Sequence, residues 1–422
     1  LTNKSPVWHP FTQHGLEVPI PMVSHAEGCA IYTEDDRRII DGISSWWVTT
    51  HGHCNPRIMA AIADQAQKLD QIIFAGWTHE PAERLAARLS ALVPDPLHYA
   101  FFSDSGSTAV EVALKMALGH WVNRGEKRHR IVVMEHSYHG DTIGTMSVGE
   151  RGVFNQAYEE LLFDVATIPF PAAGKEQETL DALDAECAKG DVAALIVEPL
   201  LLGAGGMLMY PPHVLTAMAE VCRAADVLLI ADEVMTGWGR TGTLFACEQA
   251  GVVPDIMCLS KGITGGAIPL AVTMATPRIF DAHYSKDAAK QFFHSSSYTA
   301  NPIACAAANA NLEIWEDEPV AERIATLGSR QTARLNHLSK LPGIADARQI
   351  GTIIAVDVEA KEDAGYLSQV GPRLKASLAQ KDVLLRPLGN TVYVMPPYCT
   401  DQDDLGLLYD AIEAAIGDAL KA

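Results

Sequence analysis

The chain has 422 residues, 48% hydrophobic and 20% charged, an ordinary globular composition with material for more than one core. Its 52 acidic against 32 basic residues give a formal charge of −20, a surface that repels phosphate backbones and excludes nucleic acid as an expected partner. No apolar run reaches the roughly 18 residues of a membrane span, and LTNKSPVWHPFTQHG lacks the apolar stretch of a secretory signal, so the expectation is a cytoplasmic protein with no membrane attachment.

Taken in chain order, residues 1–45 show no core of their own and are expected to pack on another domain or on a partner subunit. HGHCNP gathers His51, His53 and Cys54 but has no second ligand group at metal-site spacing, so no metal is expected. The eight cysteines are scattered without a C-x-x-C and read as reduced core thiols. HYAFF reads as a strand; behind SDSGS it feeds a helix, GSTAVEVALKMALGHWV, with Val110, Ala113, Leu114 and Ala117 on one face. The runs RIVVM, VAALIVE, DVLLIAD, DIMCLS and LAVTMAT follow. They lack polar–apolar alternation, as strands of a parallel sheet buried on both faces do. Strands alternating with helices predict a doubly wound α/β domain over 46–300. Beyond it, the helical stretch NPIACAAANANLEIWEDEP and the alternating strands GTIIAVDVE and NTVYVMPP predict a smaller α+β domain over 301–422.

Ligands of an open α/β sheet bind beyond the carboxyl ends of its strands, so the residues there matter most. HYAFF runs into Ser105, Gly106 and Ser107 at a helix start, which is either an anion site of backbone N–H groups or an ordinary serine cap. DVLLIADE ends on Asp232 and Glu233, ALIVE on Glu198, and DIMCLS on Lys261 among Gly262, Gly265 and Gly266. A strand-end lysine can simply reach solvent along its stem, or it can be a catalytic amine. A phosphate site, an acid and a lysine at neighbouring strand ends match pyridoxal 5′-phosphate, whose phosphate, pyridine nitrogen and aldehyde need those three partners. An aromatic ring must then cover the pyridine face, and Tyr138 of SYHGDT is the candidate. GAGGM after Glu198 is not a G-x-G-x-x-G, no G-x-x-x-x-G-K-[ST] exists, GWGRTG included, and G-x-S-x-G is absent.

The motifs DSGSTAVEVALKMA, SYHGDTIGTMSV, LIADEVMTGWGRTGTLFACE, PDIMCLSKGITGG and YTANPIACAAA, in that order, resemble the class III aminotransferases of PLP-dependent transferase fold type I over essentially the whole chain. The resemblance implies a mostly parallel, doubly wound α/β sheet with a smaller α+β domain, a pyridoxal 5′-phosphate cofactor and small-molecule substrates. It also implies a homodimer with shared active sites. Residue by residue it implies Lys261 as the Schiff-base lysine, Asp232 as the pyridinium partner, Gly106 and Ser107 on the phosphate, and Tyr138 on the ring. Ser296 and Ser297 would reach the neighbouring subunit's phosphate, and Arg240 and Asp141 would organise the pocket. Within the family, VWHPFTQH, DGISSWWVTTHGHCNP and LLRPLGNTVYVMPPY resemble the branch that aminates 8-amino-7-oxononanoate in biotin biosynthesis with S-adenosylmethionine as donor. That branch implies Trp46 and Trp47 in the substrate channel and Arg386 on the substrate carboxylate. Two departures from its pattern affect donor recognition: Phe11 stands for a tyrosine, and Ser295, Ser296 and Ser297 stand for glycine, proline and threonine. An ω-amine or β-amino-acid:pyruvate aminotransferase is the alternative within the class. A non-catalytic PLP-binding regulator is the alternative outside it.

Overall fold

Seven strands make the large sheet of the computed structural model, which describes residues 5–152, 155–360 and 368–421. In chain order they are β1 (Tyr99–Ser103), β2 (Arg130–Met134), β3 (Ala166–Ile168), β4 (Val192–Val197), β5 (Leu228–Asp232), β6 (Ile256–Leu259) and β7 (Ala271–Ala275). They lie side by side as β1-β7-β6-β5-β4-β2-β3. The pairs from β6 through β3 are all parallel. All six residues of β4 are buried, and alternate residues enter different cores: Leu195 and Val197 one, Ala194 and Ile196 the other. Two dry faces are why the strand sequences show no alternation.

Two features differ from the sequence expectation. LAVTMAT, expected among the parallel strands, is antiparallel to both of its neighbours, β6 and β1. Only residues 260–270 separate it from β6, too short a stretch for the crossover a parallel return needs. The edge strand β3 carried no apolar run to mark it, being three residues long with Thr167 exposed.

The helix α1 (Gly106–Arg124) packs under the sheet and buries more than one stripe, with Ala109, Val112, Met116 and Trp121 joining the face read from the sequence. Residues 23–41 form three antiparallel strands whose last, Arg38–Asp41, pairs in parallel with Val383–Leu384. Arg38 adds a bidentate ion pair to Asp404, 2.7 Å at each contact. A further antiparallel sheet comprises Ile344–Ile350, Ile353–Val358 and Thr391–Val394. Six cysteines are buried, but Cys54 and Cys399 are exposed, so core burial does not extend to these two. Both lie in turns at the surface rather than in apolar strands. Among the described residues no helix is long and apolar enough to cross a membrane.

Candidate active site

The strand directions place the carboxyl ends of β1, β4, β5 and β6 on one edge of the sheet, and Gly106, Glu198, Asp232 and Lys261 lie there. At the start of α1 the Ser105 hydroxyl accepts from Thr108 N at 3.2 Å, while Thr108 Oγ1 accepts from Ser105 N at 2.9 Å. This reciprocal cap leaves the Gly106 and Ser107 amides without an acceptor among the described residues, at the positive end of a five-turn helix. The Ser105 cap and the anion site therefore coexist, since they use different N–H groups. Gly106 is required by space: a Cβ there would lie 2.6 Å from Val234 Cγ1.

Asp232 is buried, with Oδ1 accepting from Val234 N at 3.1 Å and Oδ2 2.7 Å from His139 Nδ1. With Asp232 ionised, His139 donates from Nδ1. Its Nε2 is buried without a partner among the described residues. Glu198 ties two loops together, taking Tyr138 N and Gly203 N on its two oxygens, each at 3.0 Å. Burial, chiefly, raises its carboxyl to about 7. Lys261 sits at the start of a 3-10 turn, Lys261–Thr264, with its Nζ 5.0 Å from the Trp47 ring centroid. Desolvation lowers its amine to about 8, opposed by the charges of Asp232 and Glu198. Tyr138 has its hydroxyl raised by burial first and by Asp141 next.

These groups converge on a hollow of about 180 Å³ lined by Gly106, Ser107, Tyr138, Asp232 and Lys261 among others. A second hollow of about 340 Å³ shares Trp47, Tyr138 and Lys261 with it and runs outward past Phe11, Trp46 and Arg386. Trp47 is buried and donates Nε1 to the Tyr393 hydroxyl at 2.9 Å, whereas Trp46 is 41% exposed at the mouth. Ser44, Ser45 and Trp47 all have positive φ (51°, 60° and 69°), conformations that persist only where surroundings over-determine them. Here Ser44 Oγ donates to Met395 O and Ser45 Oγ to Asp41 Oδ2. Arg240 is fully buried and donates to the carbonyls of Thr49 and Pro396, so it props the walls and does not line either hollow. Asp141 lines the outer one.

The structure thus brings Gly106, Ser107, Tyr138, Asp232, Lys261, Trp46, Trp47, Arg386 and Phe11 together within one chain. It does not bring Ser295, Ser296 and Ser297 to them: Ser296 Oγ donates to Asp104 Oδ2 at 2.5 Å, and Ser297 O accepts from Gln71. His139 stands in SYHGDT next to Tyr138, but nothing in its own sequence neighbourhood marks it as the partner of Asp232. His53, from the cluster considered for a metal, pairs with Asp41 at 2.9 Å.

Residues 12–416 match the model of the family described as aminotransferase class-III. The chain belongs to the class III aminotransferases. A relative in Synechococcus elongatus, named adenosylmethionine-8-amino-7-oxononanoate aminotransferase, is 47% identical over 96% of this chain and 97% of its own. The protein of the same name in Aquifex aeolicus is 36% identical over 99% and 97%. Among solved structures, the Methanocaldococcus jannaschii enzyme of that name superposes with a TM-score of 0.93, 33% identity and coverage of 98% and 97%. A PLP-bound amine transaminase from an uncultivated Pseudomonas species superposes at 0.92, with 31% identity and coverage of 98% and 99%.

As a class III aminotransferase the chain uses pyridoxal 5′-phosphate, and the inner hollow suits that group. Two unclaimed helix-start amides would hold its phosphate, the buried Asp232 carboxylate would pair with its ring nitrogen, and the Lys261 amine of lowered pKa, which lines the same hollow, would take its aldehyde. When bound, the cofactor supplies an electron sink for the carbon next to the transferred nitrogen.

Proposed function

We propose that this class III aminotransferase moves an amino group from S-adenosylmethionine to 8-amino-7-oxononanoate, giving 7,8-diaminononanoate for biotin synthesis. The observation that carries the reading is Arg386. Its guanidinium lies 5.1 Å from the Trp46 ring centroid and 5.9 Å from that of Phe11, and it donates to Phe11 O at 3.4 Å. It forms no ion pair among the described residues, and it shares with Lys261 a hollow lined mainly by aromatic and apolar side chains, with Asp141 as the one acid. A linear keto acid fits: methylenes against tryptophan, carboxylate on a planar cation, ketone towards the lysine. The names of the Synechococcus and Aquifex relatives support the same choice.

In this reading Lys261 holds the cofactor and moves the substrate proton, and Asp232, steadied by His139, keeps the ring nitrogen protonated. Gly106 and Ser107 bind the phosphate, Tyr138 covers the ring, and Trp46, Trp47 and Asp141 line the substrate path. The chain works as a homodimer in which Ser296 and Ser297 complete the neighbour's phosphate site and Ser295 borders its substrate path. Ile73, Trp77, Phe293 and Tyr298 are each more than 60% exposed. The segments that carry them adjoin, since Gln71 bonds Ser297 and Asn301 bonds Asp70. A second copy would cover that apolar surface. Catalytically active monomers in sedimentation would overturn the shared site.

The second reading, an amine transaminase, is favoured by the Pseudomonas neighbour and by the missing hydroxyl at Phe11. Stopped-flow half-reactions separate the two. S-adenosylmethionine should bleach the cofactor absorbance and 8-amino-7-oxononanoate should restore it. Bleaching by simple amines and recovery only with pyruvate would establish the second reading. In the same assay Arg386→Ala should weaken the oxo acid roughly tenfold to a hundredfold and leave an uncharged amine donor nearly unaffected. Equal losses for both would move the carboxylate anchor elsewhere.

A further inference from the structure

The turn bearing Lys261 is held from the second half of the chain. Asn311 is fully buried on α2 (Pro302–Asp317) and directs both Nδ2 hydrogens at that turn. They reach the carbonyl oxygens of Gly262 at 3.1 Å and Ile263 at 3.0 Å, the two residues that follow the lysine. Lys261 itself has a φ of 45°, in the left-handed region that a long side chain occupies only under constraint. The far side of the turn is close-packed: a Cβ at Gly262 would lie 2.8 Å from Trp238 Cβ, and one at Gly266 2.7 Å from Val48 O. Packing therefore limits movement towards Trp238 and Val48, and Asn311 supplies the directional tie on the α2 side.

We propose that Asn311 is a positioning residue for Lys261, fixing the strained turn so that the amine stays aimed into the inner hollow beside Trp47. The inference rests on the reading of Lys261 as the lysine that holds the cofactor. In Asn311→Ala the buried Ile263 carbonyl would lose its donor and the Gly262 carbonyl would keep only Gly265 N, at 3.0 Å within the turn, so the turn could relax towards negative φ, drawing the amine out of line. A relaxed turn also admits water, which reverses the desolvation that lowers the amine.

Asn309 provides a matched control. It stands on the same helix and is also buried, but its Nδ2 donates to Pro81 O and Cys305 O, away from the lysine turn. Wild type, Asn311→Ala and Asn309→Ala holoenzymes are compared by three measurements: the fraction of chains with cofactor fixed to Lys261 by borohydride, the pH midpoint of the cofactor's visible absorbance, and kcat. Peptide mapping locates the fixed cofactor. Asn311→Ala should lose kcat by roughly tenfold or more, trap less cofactor at Lys261 and shift the midpoint upwards. Asn309→Ala, with a comparable loss of Tm, should keep all three near wild type. If Asn311→Ala does not fold, Asn311→Ser, which retains a short donor, is read in the same way. Trapping at another lysine in wild type would overturn the assignment of Lys261 and this inference with it. Trapping at Lys261 with Asn311 and Asn309 variants alike would overturn the role of Asn311 alone.

Discussion

Lys261→Ala is expected to abolish turnover while leaving pyridoxal 5′-phosphate bound. The lysine has two jobs in the proposed reaction, holding the cofactor and moving the substrate proton, and proton transfer alone is worth about 10²–10⁴ in rate. A fall of about four orders of magnitude or more in kcat is therefore the expected result. Retention of the cofactor follows from the geometry, because the amides of Gly106 and Ser107 and the carboxylate of Asp232 do not depend on the amine. Borohydride should fix cofactor to the wild-type chain and not to the variant. Fixation at another lysine in the variant would refute the assignment. The wild-type amine also has a pH signature. Its pKa is lowered by burial to about 8, so a chain stripped of cofactor should recapture it fully above that pH. Capture should fall away as the pH drops through about 8, since an ammonium has no lone pair to offer.

Asp232→Asn should keep the fold and lower the rate by about three orders of magnitude. A unit charge pair near 4 Å is worth about 4 kcal/mol at an effective dielectric constant of about 20, and each ~1.4 kcal/mol is tenfold in rate. The amide has nearly the same shape, so Val234 N keeps its acceptor and the β5 strand end is undisturbed. What goes is the anion that keeps the ring nitrogen protonated and the acceptor that orients His139 Nδ1. Circular dichroism should be unchanged while the cofactor's absorbance band moves. A rate within a few-fold of wild type would show that Asp232 holds the loop and does nothing for the ring.

Lys261, Asp232, Gly106 and Ser107 were legible in the sequence for a physical reason. Each follows an apolar run that is unmistakably a strand, and parallel strands deliver their carboxyl ends to one edge whatever the rest of the molecule does. The strands themselves were legible because both faces of the sheet are dry, which demands unbroken apolar runs such as Val192–Val197. The direction of Ala271–Ala275 was not, because a strand's sense depends on the length of its connection and not on its composition. The same holds for residues 23–41, whose first strand is largely exposed and whose last acquires its edge partner only at Val383–Leu384, far along the chain.

Local chemistry thus decided which residues stand at the strand ends, and with them the kind of cofactor. Tertiary structure alone decided what surrounds them. His139 reaches Asp232, Glu198 joins the Tyr138 loop to Gly203, Arg240 props Thr49 and Pro396, and Asn311 holds the turn of Lys261. None of these contacts has a spacing in the chain, because a hydrogen bond is set by where two backbones meet in space. A histidine, an arginine or an asparagine shows no sign in its own sequence neighbourhood of which distant carbonyl or carboxylate it will meet.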